Sequence, residues 1–134
     1  MSEPMKFFTL LASAVRTESA VGTAVTGFGR YQTATVVAYV TAESGTVTLD
    51  VYVQGSYDGG TTWVDIAASP QITGTGTYVI PIGNQGAGSA PFAATDATQT
   101  AASTKTLVLP DQIRTKTVSS GTTSFTFSVS GVAK

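Results

Sequence analysis

The run Val47–Gln54 alternates without a break: Val47, Leu49, Val51 and Val53 fall on one side, and Thr48, Asp50, Tyr52 and Gln54 on the other. A period of two belongs to a strand with one face in a core and fits no helix. The alternation stops at Gly55, where Ser56-Tyr57-Asp58-Gly59-Gly60-Thr61-Thr62-Trp63 follows. Asp58-Gly59-Gly60 permits positive φ angles, and the Asp58 carboxylate can accept bonds from its own turn. The chain then resumes as a strand over Trp63–Ile66, carrying the single tryptophan. Strand, tight turn and strand fix the middle of the chain as β structure.

The remaining residues repeat this theme. Arg30–Thr41 reads as a strand with Ala34, Val36, Ala38 and Val40 on one face, while Val37 and Tyr39 make the other face partly apolar. An apolar second face suggests either contact with something outside the domain or a central strand with an outward Tyr39. Glu43-Ser44-Gly45-Thr46 reads as a hairpin turn into the alternating strand. Thr77–Ile82, Thr106–Leu109, Ile113–Val118 and a last strand with Phe125, Phe127 and Val129 inward complete the set, with Ser119-Ser120-Gly121-Thr122 as a turn. Threonine is the commonest residue, and mixed with Val, Gly and Tyr it favours pleated, half-buried sheets. About eight short strands with glycine-rich turns predict an all-β fold: a single-domain antiparallel β-sandwich, jelly-roll-like.

Two segments stand outside the pattern. Residues 1–8 are expected to form an N-terminal arm carrying Phe7 and Phe8, ahead of a sandwich domain over 9–134. Met5–Ala14 also has the layout of a miniature signal peptide, but the apolar run is short and Glu3 precedes it, so an arm and first strand ending near Val15 are expected. Gly83–Ser103 is long, small and aperiodic, and Phe92, after Pro91, is its only large apolar residue. Loops of this length are usually functional or disordered. Phe92 either plugs the loop onto its own domain or anchors a neighbour.

Composition narrows the chemistry. The 134 residues include no Cys and no His, which rules out disulfides, thiolate metal sites and any triad that needs imidazole. Charged residues are only 11% and the net charge is −1, so no basic footprint for nucleic acid or acidic membranes exists. No run approaches the length of a membrane span. No cofactor and no metal site is expected.

The positions Ser56-x-Asp58-x-Gly60-x-Thr62-Trp63 match the Asp-box that recurs in sialidase-like propellers. The resemblance implies a structural staple, because in that family the boxes lie away from the catalytic centre. One box and no internal repeat do not make a propeller. Arg16, Arg30 and Arg114 equal the number of arginines a sialidase uses, a coincidence any domain of this size allows. Asp58 and Asp65 flank the same loop, but Asp65 is read as an exposed strand residue rather than half of a carboxylate pair. The chain is therefore expected not to be an enzyme.

A second resemblance covers roughly Gln32–Lys134. An alternating strand, then Gly-Ser-x-Asp-Gly-Gly-Thr-Thr-Trp-Val-Asp-Ile, a Gly-Thr-Tyr strand, and Ile-Arg-Thr-Lys-Thr-Val-Ser-Ser-Gly-Thr-Thr-Ser-Phe-Thr-Phe-Ser-Val resemble the small β-sandwich structural proteins of tailed bacteriophages. The resemblance implies a virion structural role, most of all a capsid decoration or cementing protein. Its partners would be the major capsid protein or other virion subunits, and a homo-oligomer, a trimer above others, is expected. Partner contacts are expected at Phe7, Phe8, Pro91 and Phe92, and the Gly83–Ser103 loop is the departure from the pattern. Two other readings remain: a tail or head–tail connector subunit, and a carbohydrate-binding or adhesin module using Tyr52, Tyr57 and Tyr78.

Overall fold

The computed structural model describes residues 5–45, 48–83, 91–120 and 124–134. Residues 1–4 of the expected arm, Thr46 and Val47, residues 84–90 of the long loop and residues 121–123 of the last turn lie outside that set. Among the described residues the chain forms β1 (Lys6–Arg16), β2 (Ala20–Val21), β3 (Thr33–Glu43), β4 (Thr48–Ser56), β5 (Val64–Ala68), β6 (Gly76–Gly83), β7 (Ser103–Thr104), β8 (Gln112–Ser120) and β9 (Phe125–Ala133). They make two antiparallel sheets, one ordered β1-β9-β3-β6 and the other β2-β8-β4-β5-β7. The all-β sandwich expected from the alternation is the observed architecture.

Each long strand turns its alternate apolar residues into the space between the sheets. Val36, Ala38 and Val40 of β3 meet Leu49, Val51 and Val53 of β4, with Ile80, Ile82, Ile113, Phe125, Phe127 and Val129 filling the same core. Each such side chain contributes about 1.5–3 kcal/mol when removed from water. Phe28 is fully buried and meets Phe8 edge-on, with ring centroids 4.8 Å apart. That T-shaped contact is a favoured aromatic geometry.

The expected Glu43–Thr46 hairpin and the turn before the last strand join strands of different sheets instead. β3 lies in the first sheet and β4 in the second, so Glu43–Thr46 does not close a hairpin. β8 and β9 are divided in the same way. The strands flanking the two crossings are paired, β3 with β9 and β4 with β8. Ser44 N donates to Ser124 O at 3.0 Å, and the Thr48 and Ser120 hydroxyls bond to each other. Turn-forming residues mark where the chain reverses, but not whether it returns to the same sheet.

The β1 strand begins at Lys6, so Phe7 and Phe8 belong to the sandwich and not to an arm. The β1 edge is covered along part of its length. Residues 22–28 run along β1, where Gly22 passes so close to Leu10 O that a Cβ would sit 2.2 Å from it. Lys6 Nζ donates to Thr26 O at 2.9 Å and lies over the Phe28 ring. Farther along β1, the Arg16 guanidinium donates to the carbonyls of Ala12 at 2.6 Å and Phe127 at 3.0 Å. It also stacks over the Phe127 ring at 5.0 Å. The guanidinium thus fills the seam between β1 and β9 where a register shift interrupts their ladder.

Candidate functional site

The glycine-rich turn is built as a staple. Asp58 Oδ1 accepts from Thr61 N at 3.1 Å, Thr62 N at 2.8 Å and Ser56 Oγ at 2.9 Å, and Ser56 Oγ in turn accepts from Gly60 N at 2.8 Å. Gly59 and Gly60 take φ values of 78° and 97°, a region closed to most side chains. These bonds to the charged form, with the Thr62 backbone N–H foremost, hold the Asp58 carboxyl down at about 2. Trp63 Nε1 donates to Gly60 O at 3.2 Å, and its ring carries the Arg114 guanidinium at 4.4 Å. Every polar group of Ser56, Asp58, Gly60, Thr62 and Trp63 named here is spent on the turn itself.

Arg114 leads from the staple into a polar layer on the outer face of the second sheet. Its Nε donates to Gln54 Oε1 at 2.9 Å. Gln54 Nε2 donates to Asp65 Oδ1 at 2.9 Å and to Asp96 Oδ1 at 2.8 Å, and Lys116 Nζ closes on Asp96 at 2.9 Å. Hydrogen bonds from Gln54 first, and then from Lys116, lower the pKa of Asp96. Burial lowers that of Arg114.

Asp65 overturns its reading as an exposed strand residue: it is fully buried. Its Oδ1 accepts from Ala97 N at 2.8 Å; its Oδ2 accepts from Thr95 Oγ1 at 2.9 Å, Thr98 N at 3.0 Å and Gln99 N at 3.2 Å. Asp65 thus organises the 91–103 segment, which lies over this sheet. Ala97 sits at φ 57°, a left-handed strain offset by the bonds on either side of it. The sequence misplaced Asp65 and passed over Gln54 because most of Asp65's partners lie in an aperiodic loop and those of Gln54 on other strands and in that loop. The two carboxylates flanking the turn share no function: Asp58 locks the turn and Asp65 locks the loop.

Pro91 and Phe92, at the start of that segment, are both exposed. The Phe92 ring is 41% exposed and is covered on one side by Lys105 Nζ at 4.6 Å. The other expected contact pair divides. Phe8 is core, filling space beside Gly131 and Phe28, whereas Phe7 is 79% exposed on the opposite face of β1.

Phe7 belongs to a surface on the outside of the β1-β9-β3-β6 sheet. One cross-strand row runs Phe7, Val132, Thr35, Pro81. The next runs Thr9, Ser130, Val37, Val79, and a third Ser128, Tyr39, Thr77. None of these positions carries a charged side chain. Val79 is 60% exposed and Tyr39 43%. A groove of about 200 Å3 between Phe7, Val37, Tyr39 and Val132 has Gly131 in its floor. The apolar second face expected of β3 is thus one stripe of an uncharged sheet face.

The tyrosines do not assemble. Tyr52 is buried in the second sheet, and Tyr78 packs against the core from the first. Tyr57 projects from the turn with its hydroxyl donated to Val108 O at 2.6 Å, and burial pushes its pKa up to about 12. No coplanar platform for a sugar results. Among the described residues no group of three potential metal ligands comes together, and no helix is long and apolar enough to cross a membrane. Comparison with known proteins brings no family model, no curated protein and no solved structure that matches this chain.

Proposed function

We propose that the protein is a virion structural protein of a tailed phage, a decoration or cementing subunit that stabilises a capsid lattice by bridging its subunits. The observation that carries this reading is the three uncharged cross-strand rows on the outer face of the β1-β9-β3-β6 sheet, with Phe7, Tyr39 and Val79 open to water. Desolvating hydroxyls and apolar side chains costs far less than desolvating charges, so such a face suits burial in an assembly. A bridging subunit needs a second contact surface on another side. Pro91 and the exposed ring of Phe92 provide one, because their segment is tied to the opposite sheet through Asp65. Cementing acts by adding many symmetry-related contacts at once, each raising the cost of releasing a lattice subunit.

The test compares particles assembled with and without the protein under heating or pressure. Particles without it should remain assembled but lose their contents at lower temperature or pressure. Equal resistance refutes the cementing role. Labelling of the protein at a tail or neck, and nowhere on the capsid shell, replaces it with a connector role.

A further inference from the structure

β6 is an outer strand of its sheet, and part of its main chain is left open. Thr33 N donates to Lys134 O at 3.1 Å and Lys134 N to Thr33 O at 2.9 Å, so the odd-numbered residues of β3 turn their main-chain groups toward β9. Successive residues of a strand bond to opposite neighbours, so the even-numbered ones turn toward β6. Through the observed register, Tyr78, Ile80 and Ile82 bond to β3, and Thr77, Val79 and Pro81 turn their main-chain groups outward. Pro81 has no N–H, and its carbonyl accepts from Thr104 Oγ1 at 3.1 Å. The outward N–H and C=O groups of Thr77 and Val79 have no partner among the described residues. We infer that this edge binds an extended, uncharged segment of a different protein, which adds to the sheet as a fifth strand and seats one apolar side chain between the two sheets. The inference goes beyond the virion role and stands without it.

Three observations carry it. First, the edge lacks the usual guards. Proteins blunt open edges with charged side chains, prolines and covering segments. Lys6 and residues 22–28 do this for β1, whereas no charged residue occurs from Ile66 to Gly83. Pro81 and Thr104 close only one end of β6. An antiparallel strand laid beside the open part can exchange both bonds with Thr77 and both with Val79.

Second, a space for a side chain lies beside those groups. Ala68, Pro70, Ile80, Pro81 and Ala102 line a pocket of about 230 Å3, and none of its described lining residues is charged. Ala68 belongs to β5 in the other sheet, so the pocket opens between the sheets, on the inward side of β6. The residue of an added strand opposite Ile80 shares its inward face and falls over this pocket. An apolar cavity of about 150 Å3 holds a benzene molecule, so this space takes a leucine, isoleucine or phenylalanine side chain. Main-chain bonds along an edge give affinity, and a pocket for an alternate side chain gives specificity.

Third, a second copy does not fit. Two β6 edges that pair Thr77 with Val79 across a two-fold axis bring Gly76 of each copy opposite Ile80 of the other. Centring the pair on Thr77 brings Gly74 there instead. A glycine leaves the pocket empty. Centring it on Val79 sets Pro81, which has no N–H to give, opposite Thr77.

The experiment screens a synthetic library of short random peptides, both ends blocked, against the full chain. Binders should share an apolar residue at one fixed position, and each should protect the Thr77 and Val79 amides from exchange. Val79→Pro removes one outward N–H and leaves the bonds to β3 in place, as Pro81 does. It should weaken the best binder about tenfold or more. Ala102→Asn puts a polar group into the pocket at a φ of 56°, which asparagine tolerates, and should weaken the same binder. A control, Val108→Lys, lies outside either sheet at a position 72% exposed and should bind as the wild type does. Melting curves establish that each variant is folded, and either Val79→Pro or Ala102→Asn alone suffices. A library that yields no binder, binders indifferent to both substitutions, or protection that rises elsewhere each overturns the inference. So does a wild type that dimerises in sedimentation equilibrium and loses its dimer in Val79→Pro, because a second copy then fills the edge. None of these results bears on particle stability, so the virion role stands or falls separately.

Discussion

Gln54 and Asp65 face each other across β4 and β5, and the Gln54 Nε2 atom donates to Asp65 Oδ1 at 2.9 Å in a fully buried position. A register shift next to this pair, between Val53 and Gln54, makes the contact possible. It lets Ile66 and Ala67 both enter the core while Asp65 stays on the outer face. A β-bulge of this kind re-aims one side chain without breaking the sheet.

Replacing Asp65 by Ala should therefore do two things. It leaves the N–H groups of Ala97, Thr98 and Gln99 without their acceptor, and it strips Gln54 of one partner. Unfolding in urea should show a loss of about 3 kcal/mol or more, the range for a broken buried polar network. Amide exchange at residues 97–99 should accelerate more than in the core strands. Unchanged exchange there would mean the segment is held by other contacts.

The Asp58 staple predicts an acid limb. Its folded pKa is about 2, below the ordinary 3.8, so its contribution is present above pH about 4 and is lost as pH falls towards 2. In Asp58→Asn the loss of stability should appear at neutral pH. The difference from wild type should then shrink as pH drops through that window. Parallel stability curves from pH 5 to pH 2 would show that the carboxylate is not held in its charged form.

Asp50 has the opposite sign. It lies on the outer face of β4, where burial raises its pKa, and no hydrogen bond or ion pair to its carboxylate occurs among the described residues. The charged form is thus disfavoured in the fold, and the cost is present wherever Asp50 is ionised. Asp50→Asn should melt at a higher temperature than wild type at pH 7, and the gain should shrink as pH falls and Asp50 takes up its proton. A lower melting temperature at pH 7 would contradict the account.

Arg16 closes the break in the β1–β9 ladder by donating to the carbonyls of Ala12, Ala14 and Phe127. Arg16→Ala should fold, with a modest loss of stability from the lost stacking on Phe127. With those carbonyls unpaired, the end of β1 should loosen from β9, and amide exchange at residues 12–16 should accelerate more than in β3; unchanged exchange there would contradict the account. Arg16→Lys should protect only in part, because an ammonium cannot span several carbonyls in one plane.

Period-two alternation in β3, β4, β8 and β9, punctuated by glycine and serine turns, was enough to determine an all-β sandwich and most of its core, from Val36 to Val129. Local chemistry also determined the staple, because Ser56, Asp58, Gly60 and Trp63 act within eight residues of one another. Tertiary structure decided what depends on distant segments. It decided that the Glu43 and Ser120 turns are arches, since only the pairing of β3 with β9 and β4 with β8 fixes which sheet receives the chain. It decided that Phe7 faces water while Phe8 meets Phe28, which the run Phe7-Phe8 leaves open. It turned Asp65 from a surface residue into the buried anchor of the 95–99 segment, through partners thirty or more residues away. And it joined alternate residues of four strands into one uncharged face. Alternation marks a strand's two sides, but only pairing in space makes a side into a surface.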